Sequence, residues 1–189
     1  MKKLWTMLLL CTLSLSTVYA QPKQRAGVRM EVADSETDHG DYSIFTYKDT
    51  DEDDSFGYYL SLGRVNNTLG ADEILGVNVQ NVDEVTIWLG STTDEALDML
   101  GRILDLYDED VDTSVEFRGR SVNGAGHLEE PTTSTCVVEK KTLGGKRLRF
   151  LFKKDKGEGH AFLTKAVVKE LRTNFKIDVK LHPKRHHKK

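Results

Sequence analysis

Apolar and polar residues alternate one by one over residues 28–33, with Val28, Met30 and Val32 set against Arg29 and Glu31. This is the period of a half-buried strand. Residues 42–48 and 56–65 are rich in aromatic and β-branched types and read as two further strands, joined by the polar run 49–54. In the second of them Phe56, Tyr58, Leu60 and Leu62 share a face, with Gly57, Tyr59, Ser61 and Gly63 opposite. Residues 66–82 mix turn signals with apolar positions and support no element. Residues 84–90 read as a strand with Val85, Ile87 and Leu89 on one side.

The pattern then changes period. Thr92-x-x-Glu95 is a capping box, in which side chain and backbone satisfy each other at a helix start. It predicts a helix to about Tyr107 with Ala96, Leu97, Leu100, Ile103, Leu104 and Tyr107 as its apolar stripe. Asp94, Glu95 and Asp98 lie where the helix dipole favours negative charge. Residues 113–118 read as a short strand and 119–132 as a long loop containing glycine. Residues 133–142 and 147–154 are strands joined across Gly144-Gly145. A two-residue turn there pairs Leu143 with Lys146. Val137, Leu148, Phe150 and Phe152 then face inward, while Cys136, Val138, Lys140, Arg147, Arg149, Leu151 and Lys153 face outward. A three-residue loop would reverse one strand. A second helix is expected over 160–174, with Phe162, Leu163, Ala166, Val167 and Leu171 as its apolar face. A last strand is expected over 176–182, with Ile177, Val179 and Leu181 inward. Residues 85–117 and 148–181 thus share one order of strand, turn, helix and strand. The fold class is α+β, a two-layer sandwich: a mixed, mostly antiparallel sheet of about seven or eight strands with two amphipathic helices on one face.

Residues 1–20 alter the picture of where this fold works. Lys2-Lys3, an apolar stretch over 4–18 and the small residues Val18 and Ala20 form a secretory signal peptide. The stretch is interrupted by Thr12, Ser14, Ser16 and Thr17 and is short for a membrane anchor. The working chain is then an exported bacterial protein, periplasmic or secreted, with one domain over 21–182 and a disordered basic tail over 183–189. No transmembrane segment is expected in that mature chain. Cys11 leaves with the signal, so Cys136 has no internal disulfide partner and reads as a small buried hydrophobe on a strand. Charge is segregated: residues 21–135 hold 8 Lys or Arg against 25 Asp or Glu, and residues 136–189 hold 17 against 5. Such asymmetry bears on partners more than on fold.

Candidate chemistry is sparse. Asp49, Asp51 and Asp53 have the alternate spacing of calcium loops. Asp54 stands where such a loop needs glycine, and Leu60 where it needs a bidentate glutamate. Asp108, Asp110 and Asp112 repeat the spacing with the same deficiencies. The histidines form no His-Glu-x-x-His pattern, and no cofactor is implied. Ser121, Asn123, His127 and the pair Glu129-Glu130 gather residue types suited to catalysis in the 119–132 loop. Arg147, Arg149 and Lys153 offer a polyanion-binding face. Export and the lack of interleaved aromatics argue against nucleic acid. The function read from the chain is a non-enzymatic binding or interaction protein with a protein or anionic envelope component as partner. The alternatives are an enzyme with its site around 119–132 and a protein held to an anionic envelope, through polyanion or lipid.

Overall fold

Alternation along successive segments yields strands, and each strand pairs with its neighbour in sequence. The computed structural model describes residues 27–37, 40–49, 56–65, 83–122, 128–142, 144–154 and 157–186. Its strands are β1 (Gly27–Thr37), β2 (Gly40–Asp49), β3 (Gly57–Val65), β4 (Asp83–Gly90), β5 (Ser114–Val122), β6 (Leu128–Lys140), β7 (Lys146–Lys154) and β8 (Gly157–Leu163). They form one sheet in the order β1 to β8, and every neighbouring pair is antiparallel. Helix α1 (Thr93–Asp105) lies between β4 and β5. Helix α2 (Lys165–Leu181) follows β8 and leads into a 3-10 turn, Pro183–Arg185. Among these residues no helix is long and apolar enough to cross a membrane.

The α+β character and the mostly antiparallel sheet are as expected, but the flat two-layer sandwich is not what forms. Pairing shifts at Glu31/Ala33, Tyr58/Tyr59, Ser61/Arg64 and Arg120/Val122 bend and twist the strands. The sheet curls into a half-barrel, bringing β3 near β8. Both helices send their apolar stripes into its hollow. Ala96, Leu100 and Ile103 of α1 and Val167, Val168, Leu171 and Phe175 of α2 join one core with Ile44, Leu60, Ile87, Leu148 and Phe150. A second apolar cluster of Phe45, Tyr47 and Tyr59, with Trp88 against it, occupies the outer face of β2–β4.

Helix α1 starts as its capping box dictates. The Glu95 amide donates to Thr92 Oγ1 at 3.2 Å, and the Thr92 amide donates to Glu95 Oε2 at 3.3 Å. Gly90 has φ of 144°, so the turn into this cap is open to glycine and strained for other residues.

The C-terminal third departs from its expected elements. Residues 160–163 belong to β8, which pairs Leu148 with Leu163 and Phe150 with Ala161. The helix begins only after Thr164, whose hydroxyl accepts from the Val167 amide. It then runs on to Leu181, with His182 as its cap, where a strand was expected over 176–182. Val167, Leu171, Phe175 and Val179 recur every four residues and pack on the core. Ile177 and Leu181, expected inward, are exposed. The repeated order of strand, turn, helix and strand therefore holds for 85–117 alone. Within the basic tail Pro183–Arg185 form the 3-10 turn, capped by His186, while residues 187–189 lie outside the described residues.

Candidate functional site

The β6–β7 connection decides which side chains reach the outer surface. Five residues, 141–145, separate the strands. The Lys141 amide donates to Gly145 O at 3.0 Å, and Gly144 and Gly145 take φ of 90° and 80°. Lys140 thus pairs with Lys146, Glu139 with Arg147, Val138 with Leu148, and Cys136 with Phe150. This corrects the two-residue turn. Val137 faces out, whereas Cys136 and Val138 face in and are buried. Burial pushes the Cys136 thiol up to about 12. The expected outward direction of Arg147 and Arg149 stands.

On the outer face Glu139 lies between the two arginines. Its Oε2 is 3.0 Å from Arg147 Nε and Nη2, and its Oε1 is 2.6 Å from Arg149 Nε. The second contact is off the hydrogen-bonding line, so it is Coulombic. The Arg147 guanidinium also stacks over Phe162, 3.9 Å from the ring centroid. Phe162 lies opposite Arg149 in the ladder, and His160 meets its ring edge-on at 5.2 Å. On β5, Phe117 is buried opposite Ser134, which turns Arg118 and Arg120 to the same outer side. Four arginines, two glutamates (Glu116 and Glu139) and the apolar Val137, Leu151 and Phe162 therefore share one open sheet face. Lys153 lies in β7 opposite Glu158, with its side chain outside the described residues.

Other candidate groups are not brought together. Asp49 closes β2 opposite Gly27, and Asp51 and Asp53 lie outside the described residues. In the second acidic run Asp108 pairs with Lys165 at 2.9 Å. That hydrogen bond and the Lys165 charge, with Lys146 and Lys169 nearby, hold its carboxyl below the usual range. Asp112 instead uses its amide to reach Val138 O at 2.9 Å. Among the described residues no three His, Cys, Asp or Glu side chains converge as metal ligands. Much of the expected 119–132 loop is strand: Ser121 pairs with Val85, and Thr132 with Gly119. Asn123 and His127 lie outside the described residues.

Two features were missed in the sequence. One is the Arg147–Phe162 stack, hidden because Phe162 was assigned to a helix. The other ties down the tail. His186, with a side chain 3 % exposed, places Nε2 2.9 Å from Asp178 Oδ2 and Nδ1 3.0 Å from the Tyr58 hydroxyl. His182 Nδ1 is 2.8 Å from Asp178 Oδ1. Burial, then the Asp178 charge, pushes Tyr58 up to about 12. The Tyr58 hydroxyl lies inside the fold, so this chain of contacts clamps the 3-10 turn and His186 to β3. Asp178, His182 and His186 are four residues apart, a helical spacing that signals the cluster once 176–182 is read as helix.

The chain matches no protein-family model, no curated protein and no solved structure.

Proposed function

We propose that the chain is an exported, non-enzymatic binding protein and that the arginine face of β5–β8 holds an acidic partner protein. The observation that carries this reading is the β6–β7 register, which sets Arg147 and Arg149 around Glu139 on the same outer face as Arg118 and Arg120, which lie across β6 and further along the sheet. Arginine among aromatic and aliphatic side chains is the composition of interface centres. Glu139 holds two guanidinium groups side by side without neutralising both, so an incoming carboxylate finds them already positioned. The secretory leader supports export.

Affinity capture from the native host, using a tagged chain that begins at Gln21, tests the reading. An acidic protein is expected to be retained at low salt and released as salt rises. Arg147→Glu/Arg149→Glu is expected to weaken retention by at least about tenfold. Glu139→Gln is expected to strengthen it, because it removes the internal competitor. Recovery of no partner, or equal retention by the charge-reversed variant, would contradict the reading.

A further inference from the structure

Helix α2 leaves one side open to solvent, and its composition there is unusual. Ile177 and Leu181 are 51 % and 66 % exposed and sit one turn apart. Lys176 and Lys180 are exposed on the solvent side of the helix as well, and Lys184 follows in the 3-10 turn. The helix carries two carboxylates, Glu170 and Asp178, and both are engaged within the fold. Glu170 Oε2 accepts from the Ser35 hydroxyl at 2.8 Å. Asp178 is shared among His182, His186 and Arg185. Among the described residues no carboxylate pairs with these three lysines.

We propose that this side of α2 docks the protein on an anionic lipid surface. Branched aliphatics flanked by lysines suit a headgroup layer: Ile177 and Leu181 enter the acyl boundary while the flexible lysine stems keep their ammonium groups among the phosphates. Each such lysine adds to the attraction of an anionic leaflet. A packed protein interface would favour aromatic residues and arginine instead, as found on the other side of the sheet. Helix α2 rests its buried side on β1, β2 and α1. Docking through its solvent side therefore leaves the arginine face clear of the bilayer, and the two surfaces work independently.

The test is co-sedimentation with vesicles of phosphatidylcholine alone and of phosphatidylcholine with about one third phosphatidylglycerol. The chain used begins at Gln21, which contains every described element and lacks the apolar leader. It is expected to pellet with the phosphatidylglycerol vesicles, to remain in solution with phosphatidylcholine alone, and to be released by raised salt. Lys176→Glu/Lys180→Glu and Ile177→Ser/Leu181→Ser are each expected to weaken binding by about tenfold or more. Arg147→Glu/Arg149→Glu is expected to leave it unchanged, which separates this docking from the acidic-partner reading. Thermal melts confirm that each variant is folded. If a reversed variant does not fold, Lys176→Gln/Lys180→Gln is expected to weaken binding severalfold. Failure to pellet, equal pelleting with both vesicle types, or loss of binding only in the arginine variant would overturn the proposal.

Discussion

Gly119→Ala is expected to destabilise the fold by about 3 kcal/mol. A Cβ at this position would lie 1.9 Å from Thr86 O and 3.0 Å from Thr86 C, contacts with backbone rather than with a movable side-chain end. β4 cannot easily retreat. Thr86 Oγ1 donates to Arg120 O at 2.8 Å and accepts from the Arg120 amide at 3.3 Å, locking the strands beside the collision. Opening the pair also disturbs the buried Thr86 and Ile87 and the start of the arginine face. Gly101→Ala is the matched control. Its added methyl meets nothing nearer than Arg172 Nη2 at 3.9 Å, and alanine favours the helix by about 1 kcal/mol. Urea unfolding followed by Trp88 fluorescence, in a chain that begins at Gln21 and so lacks Trp5, should move in opposite directions for the two variants. Equal stability would show that β4 and β5 do not approach this closely.

Phe175→Ala is expected to cost about 4 kcal/mol, near the upper range for emptying an aromatic core position. Phe175 is fully buried on α2, with its ring 5.4 Å from Tyr58 and 5.8 Å from His186. The cavity would loosen the helix and also His186, which ties the 3-10 turn to β3. Ile177→Ala, only two residues away on the open side, is expected to change stability by about 0.5 kcal/mol or less. Thermal melts read the contrast directly. Had residues 176–182 been a strand with Ile177 inward, the order of the two effects would be reversed.

That contrast also shows where sequence reading succeeds and where it fails. Val85, Ile87 and Leu89 alternate with no competing pattern, and the Thr92–Glu95 box has a local mechanism, so both elements form as expected. At 175–181 two periods overlap. Ile177, Val179 and Leu181 suggest a strand, while Val167, Leu171, Phe175 and Val179 suggest a helix. The longer stripe prevails because it buries Phe175 and Val179 against a core that local pattern does not reveal. The glycine pair at 144–145 announces a turn without giving its length, and a five-residue connection turns Cys136 inward. The arginines of the candidate site were legible from alternation along β7. Their companions were not: Glu139 depends on the register, Phe162 on recognising β8, and Arg118 and Arg120 on extending β5 into the expected loop.

The orientation of the β6–β7 hairpin underlies both the core and the outward arginine pair. Cys136 reports on it, being the free cysteine among the described residues. The most direct measurement is titration of this thiol with an aromatic disulfide reagent at neutral pH, in native buffer and in denaturant, using a chain that begins at Gln21 and so lacks Cys11. A thiol 1 % exposed and held protonated by burial should remain unreacted until the chain unfolds, and one equivalent should then react. Rapid labelling of the native protein would place Cys136 on the outer face and contradict the hairpin register.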